Sequence, residues 1–165
     1  MTYEQTDGPS GLGGWLILPF LGLVLSAVVT GITLNNDVVP AFGADIWPAL
    51  TTPESPVYHP SWAPYLVAAA ALNSLIILSC VLLFVLGIAK RKVFPPAMVT
   101  FYVLVLVASS LDIWAVEGFL AEVMPDEAAS MKPETYRDFF RMVVTNIIWS
   151  SYFLVSKRVK NTFVK

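Results

Sequence analysis

An uncharged, strongly apolar stretch sets the architecture: residues 65–89 read YLVAAAALNSLIILSCVLLFVLGIA and are followed at once by Lys90-Arg91-Lys92. An α-helix rises about 1.5 Å per residue, and the hydrocarbon core of a bilayer is about 30 Å thick. A helix over these residues is therefore long enough to cross a membrane. The sequence predicts a transmembrane helix here.

Three other segments extend this pattern. Residues 8–36 carry no charge, and Pro95-Pro96 can begin a helix whose apolar run reaches Asp112. The last segment is weaker, because its uncharged part covers only residues 142–156. We predict an all-α membrane protein: one domain, a bundle of four transmembrane helices at about 11–34, 65–89, 96–117 and 136–158, with outer loops at 35–64 and 118–135.

The composition agrees with this class. Charged residues make up 13% of the chain, against about 25% in soluble domains, and 56% of the residues are hydrophobic. These values exclude a disordered chain and a disulfide scaffold and argue against a free cytosolic enzyme. The motifs of zinc hydrolases, serine hydrolases and P-loop NTPases are missing from the sequence. We expect a protein that is not an enzyme, holds no cofactor or metal and binds no nucleic acid.

The basic residues predict the orientation. Cytoplasmic flanks of transmembrane helices are enriched in Lys and Arg, and anionic lipids of the inner leaflet attract such residues. In the four-span arrangement, seven of the ten basic residues fall on one side: Lys90, Arg91, Lys92, Lys157, Arg158, Lys160 and Lys165. We therefore place both termini in the cytoplasm and expect the basic C-terminal tail to continue the last helix and to contact anionic lipids.

Two charged residues lie within predicted spans. Asp112 in span three and Arg141 in span four are expected at similar depths, close to the outer edge of the hydrocarbon core. Intramembrane charges usually face the bundle and pair, which predicts an Asp112–Arg141 pair between neighbouring helices. The alternatives are that each side chain extends to the interface, or that Arg141 pairs locally with Asp138.

Two further patterns concern helix faces. A polar stripe in span four either lines a hydrophilic cavity or supplies interhelical hydrogen bonds; it comprises Thr145, Asn146, Trp149, Tyr152 and Ser156. Gly22, Ser26 and Thr30 share one face of span one and predict close helix packing, within the monomer or in a homodimer. The acidic connection 118–135 is either a solvated loop or a region that attracts cations.

Both ends of the chain carry a resemblance. The stretches GLGGWL (11–16) and WSSYFLVSKRVKNTF (149–163) resemble a YdgK-like family of bacterial inner-membrane proteins of unknown function. The resemblance implies a four-span protein of the cell inner membrane and supplies no activity.

Two functions fit these observations. The first is a structural or interaction component of a membrane assembly, with a membrane-protein partner or a second copy of the chain. The alternative is a small transporter or channel component with a polar path along span four. A cavity that reaches Asp112 from outside would favour transport, and a dry, fully packed bundle would favour the interaction role.

Overall fold

The computed structural model describes residues 8–165, which form helices and connecting turns without any strand. Four helices are long: α1 (Ile17–Thr33), α3 (Trp62–Ile88), α4 (Phe94–Glu117) and α6 (Pro125–Val155). Three are short: α2 (Ile46–Thr51), α5 (Phe119–Val123) and α7 (Lys157–Thr162). A 3-10 turn at Gly14–Leu16 precedes α1, and a π turn at Leu34–Val38 continues it.

Three helical segments of the described chain are long and apolar enough to cross a membrane. They are Gly14–Phe42, Trp62–Ile88 and Phe94–Val123, with 29, 27 and 30 residues. They overlap the first three predicted spans. Helix α6 is not among them, because charged residues are spread through its first half, from Asp126 to Arg141.

The fourth helix differs from the prediction at both ends. Most of the predicted loop 118–135 is helical, since Pro125 occupies the first turn of α6 and Asp126 and Glu127 complement the positive end of the helix dipole. At the other end, the expected continuation into the basic tail is wrong. Ser156 has extended backbone (ψ 123°), and its Oγ accepts the Val159 N–H at 3.4 Å to begin α7.

The long helices pack as a row in which α1 contacts α3, α3 contacts α4, and α4 contacts α6. The α4–α6 pair is antiparallel: Lys132 bonds to Glu117 near one end of the bundle, and Phe153 packs on Phe94 near the other. Between these points, the Asn146 side chain donates to the Tyr102 carbonyl group at 3.0 Å. We call the end with Phe94 basal and the end with Glu117 apical.

Two hydrophobic clusters hold the bundle together. The basal cluster comprises Leu16, Leu23, Ile76, Cys80, Leu83, Phe94, Met98, Phe101, Tyr102, Phe153, Val159 and Phe163. The apical cluster comprises Ala41, Trp62, Leu66, Ala115, Val116, Phe119, Leu120 and Ala128. Phe94 is the centre of the basal cluster, because its ring contacts Phe20, Phe153 and Phe163 at centroid distances of 5.4, 5.7 and 4.6 Å.

The C-terminal segment folds back against the first residues of the bundle. Arg158 donates to the Gly13 carbonyl group at 2.7 Å, and Thr162 donates to the Gly11 carbonyl group at 3.3 Å. The last residue, Lys165, accepts a backbone hydrogen bond from Lys92 at 2.7 Å. We call these contacts the basal clasp. They join the two terminal sequence stretches, 11–16 and 149–163, at one end of the molecule.

Candidate functional site

A cavity of about 1000 Å³ lies between the four long helices. Its floor is the end nearest the basal cluster, where the lining residues are Leu25, Ile76, Val105 and Met142. From there it extends apically along α1 from Leu25 to the π turn at Leu34–Val38, a distance of about 20 Å at 1.5 Å per residue. Its volume is comparable to that of pockets that hold drug-sized ligands, roughly 300–1000 Å³.

One wall is a polar face of α1. Ser26, Thr30 and Thr33 recur every three or four residues, so they share one side of the helix, and all three line the cavity. Asp37, in the π turn, lines it as well. Turns of this type are frequent at functional sites. Hydroxyl and carboxylate groups thus follow α1 along the cavity.

The wall formed by α3 and α4 contains Asp112, the intramembrane acid predicted from the sequence, which is exposed. Asp112 lines the cavity and accepts a hydrogen bond from the Tyr65 hydroxyl group, with 3.3 Å between the oxygens. Closer to the floor, Asn73 lines the cavity, and the Ser109 hydroxyl group donates to the Met142 sulfur at 3.1 Å. Asp112 therefore lies at a wall of the cavity, where a ligand can reach it.

The charges on the cavity lining are negative. Four carboxylates line it, namely Asp37, Asp112, Glu134 and Asp138, and no Lys, Arg or His of residues 8–165 does. Glu134 contacts Arg137 at 3.0 Å, and Asp138 contacts Arg137 and Arg141 at 3.5 and 3.6 Å. Asp37 and Asp112 have no basic partner in the described chain. A cavity with this balance attracts cations, since low-dielectric walls concentrate the field of the carboxylates.

The expected Asp112–Arg141 pair is absent from the described residues. Arg141 is 69% exposed, does not line the cavity and has Asp138 as its acidic neighbour, which was the local alternative. The helix register explains this. Ser109 contacts Met142, so Arg141 lies about 3 Å, roughly half a turn, closer to the basal end than Asp112 does, and its side chain is on the exposed side of α6.

The residues of the predicted polar stripe of span four make different contacts, and none of them lines the cavity. Asn146 is buried and makes the hydrogen bond to α4. Thr145 donates to the carbonyl group of Arg141 in its own helix. Trp149 and Tyr152 pack edge to face beside the basal cluster, and Ser156 caps α7.

The predicted small-residue face of α1 also has a different environment. Ser26 and Thr30 line the cavity, whereas a Cβ added at Gly22 would meet no atom within 4 Å. The close helix approach occurs at Gly87, where a Cβ would lie 2.6 Å from Phe20 Cε1 and 2.9 Å from Phe94 Cε2. Within the described monomer, Gly87 is therefore the packing glycine.

Sequence reasoning missed Asp37, Glu134 and Tyr65 as parts of one site. A signal for the α1 wall was present, because Ser26, Thr30, Thr33 and Asp37 follow helical spacing. The same spacing is also typical of a small-residue packing face, which is the prediction made from the sequence. Within residues 8–165, no three His, Cys, Asp or Glu side chains come close enough to hold a metal ion.

Apolar helices around a cavity that contains carboxylates are typical of polytopic helical membrane proteins. The chain belongs to the family described as "Protein of unknown function (DUF2569)", whose model matches residues 9–164. Comparisons with the curated proteins and with the solved structures found no match.

Proposed function

We propose that the protein crosses the bacterial inner membrane four times and keeps both termini in the cytoplasm. The number of crossings supports this topology. The basal clasp joins Gly13 to Arg158, so the start of α1 and the segment after α6 lie at the same end of the bundle. If three helical segments cross the membrane, a fourth crossing by α6 is needed to return the chain to that end.

The surface of α6 is compatible with lipid. Its second half exposes Phe140, Ile147, Ile148, Leu154 and Val155, the last of them 71% exposed. The uncharged part, residues 142–155, is about 21 Å long, and the arginine and aspartate side chains above it can extend towards the interface.

The cytoplasmic assignment of the basal end follows from charge. Lys157 and Lys160 lie on the exposed side of α7, opposite the buried Val159, and Lys165 bonds to the Lys90–Lys92 turn. Arg91 and Lys92 are exposed beside it. We propose that this surface contacts anionic inner-leaflet lipids, each base contributing about 1 kcal/mol near the surface. The resemblance to YdgK-like inner-membrane proteins is consistent with this orientation.

Labelling with a membrane-impermeant maleimide tests the topology, in a Cys80→Ser background. Glu54→Cys lies in an apical connection and should react in intact spheroplasts. Lys160→Cys lies on α7 and should react only after the membrane is permeabilised. Reaction of both cysteines from outside would mean three crossings and would refute the four-span arrangement, whereas reaction of Lys160→Cys alone from outside would refute the cytoplasmic assignment of the basal end.

We propose that the cavity binds a cationic solute and that the protein acts, without enzymatic chemistry, as a small transporter or as the binding component of one. The observation that carries this function is the cavity that reaches Asp112, a carboxylate without a basic partner in the described chain. The basal cluster closes the cavity at its floor, and residues of the apical cluster, among them Trp62 and Leu120, line its other end.

Equilibrium binding of tetraphenylphosphonium to the protein in nanodiscs tests this function. Asp112→Asn should weaken binding at least tenfold, because the carboxylate contributes the attraction. Asp126→Asn is the matched control, since Asp126 is an exposed acid that does not line the cavity. Equal binding by wild type and Asp112→Asn, or no binding by the wild type, would remove the proposal.

The interaction role remains a second candidate for one reason. Gly22 is exposed on α1 with free space around it, so a helix of a second copy could approach closely there. The mass of the protein in nanodiscs separates the two functions. A dimer that Gly22→Leu converts to monomer, together with no cation binding, would favour the interaction role.

A further inference from the structure

We propose that the ligand of the cavity is an amphiphilic organic cation that enters sideways from the lipid, between α1 and α6. The inference rests on the proposed function and adds the substrate class and the route. Three features carry it: the gap between the two helices, the apolar rim of that gap and the position of the lining carboxylates at one end of the cavity.

The cavity lies between helices that are not joined to each other. Helix α1 packs mainly on α3. Every side-chain hydrogen bond from α6 to another helix in residues 8–165 ends on α4. The two helices are thus the ends of the packed row, yet side chains of both line the cavity. The cavity consequently has an open side between α1 and α6.

The rim of this opening is apolar and accessible. On α1, Leu25 and Val29 line the cavity and are 63% and 53% exposed, so they belong to the lipid-facing surface as well. On α6, the partly exposed Phe139 also lines the cavity. Trp15 lies in the turn that precedes α1 at the basal end of the bundle, and Leu25 is about 15 Å from it along the helix axis. This distance is half the thickness of the hydrocarbon core. The rim therefore faces acyl chains and not only lipid headgroups.

The lining carboxylates lie at one end of the cavity, whereas apolar side chains line both ends, among them Leu120 and Met131 apically. All four lining carboxylates belong to the apical half, where the Tyr65–Asp112 hydrogen bond and the α4–α6 register bring Asp112 and Asp138 to the same level. The basal half is lined mainly by aliphatic side chains and Met, including Leu25, Leu72, Ile76, Val105 and Met142. A bound amphiphile would place its cationic group apically and its apolar chain towards the middle of the bilayer.

In the proposed topology the apical end faces outward. An amphiphile in the outer leaflet therefore already has the orientation that it would adopt in the cavity. Its headgroup faces outward and its chain points to the bilayer centre. Such a molecule can slide between α1 and α6 without turning over. A small hydrophilic cation lacks the chain that fills the basal half, so it leaves apolar surface uncovered and binds less tightly.

The test compares two cations with the same headgroup type in nanodiscs of zwitterionic lipid. Dodecyltrimethylammonium has the apolar chain and tetramethylammonium does not; dodecyl sulfate controls for the charge. Native mass spectrometry measures occupancy and also reports any second protein chain. We expect the long-chain cation to bind at least tenfold more tightly than tetramethylammonium, and both Asp112→Asn and Asp37→Asn to weaken its binding. Dodecyl sulfate should not bind.

A matched pair of valines tests the route. Val29→Trp narrows the opening, whereas Val28→Trp puts the same bulk on the exposed surface of α1 outside the cavity. Val29→Trp should reduce binding of the long-chain cation at least tenfold, and Val28→Trp should leave it unchanged.

Two results would overturn the inference while the proposed function stands. One is equal affinity for the two cations; the other is equal binding by the two Trp variants. Binding of dodecyl sulfate as tight as that of the cation would also overturn it, and so would a second chain filling the cavity. If neither cation binds to the wild type but tetraphenylphosphonium does, the inference fails and the proposed function stands; if none of the three binds, both fail.

Discussion

Substituting Gly87 by Ala tests the close packing of α3 against the basal cluster. The new Cβ would lie 2.6 Å from Phe20 Cε1 and 2.9 Å from Phe94 Cε2, distances at which one ring must move. Phe94 is fully buried and stacked on Phe20, so neither ring can withdraw freely. Overpacking of this kind costs about 1–3 kcal/mol, partly offset by about 1 kcal/mol of helix propensity.

Gly22→Ala is the matched control, because it makes the same change inside a long apolar helix without meeting any atom within 4 Å. It should leave the free energy of unfolding unchanged or raise it by up to about 1 kcal/mol. Reversible unfolding in mixed micelles, followed by circular dichroism, measures both variants. Adding Phe20→Leu to Gly87→Ala should recover part of the loss, since it removes the ring that the methyl group meets.

The packing argument would be refuted if Gly87→Ala were as stable as Gly22→Ala. It would also fail if Phe20→Leu simply added its own loss to that of Gly87→Ala, because contacting residues should couple. A large loss in Gly22→Ala alone would show that the exposed face of α1 is occupied in the folded protein, by a second copy or another helix.

Three further predictions concern single contacts, each measured by the same unfolding assay. Asn146→Leu removes the buried hydrogen bond to α4 and should cost about 0.6 kcal/mol, the average for such bonds within membranes; no loss would mean that the bond contributes nothing. Gly14→Ala places a methyl group at φ +63°, 3.3 Å from the Arg158 guanidinium carbon, and should cost about 1–2 kcal/mol; an unchanged stability would contradict the clasp geometry. Arg158→Gln removes both the charge and the clasp hydrogen bond of Arg158 and should lower stability, whereas Lys157→Gln removes only a charge at an exposed position and should not. Equal effects of these last two substitutions would show that charge, and not the bond, matters.

The apolar helices could be predicted from sequence because a transmembrane segment is defined by its own residues. Uncharged runs fix α1, α3 and α4 without reference to any neighbour. The start of α6 is different, since a charged stretch that contains Pro133 does not by itself distinguish a loop from a helix. Packing on α4 and the Lys132–Glu117 ion pair provide what the local sequence does not.

The site could be predicted only in part for a related reason. The sequence identifies Asp112 as an intramembrane acid, but its neighbours depend on the register between helices. A shift of about one turn decides whether Arg141 or Asp138 is level with it. The same limitation applies to Ser26 and Thr30, whose spacing indicates a shared face and not what that face contacts.

The aromatic contact between Phe94 and Phe163 has a consequence for biosynthesis. Phe94 begins α4, whereas its partner lies beyond α6, so the ribosome makes two long helices before that partner exists. At translation rates of about 5–20 residues per second, several seconds pass between the synthesis of Phe94 and the synthesis of Phe163. The basal cluster therefore cannot be completed until the residues after α6 have been made.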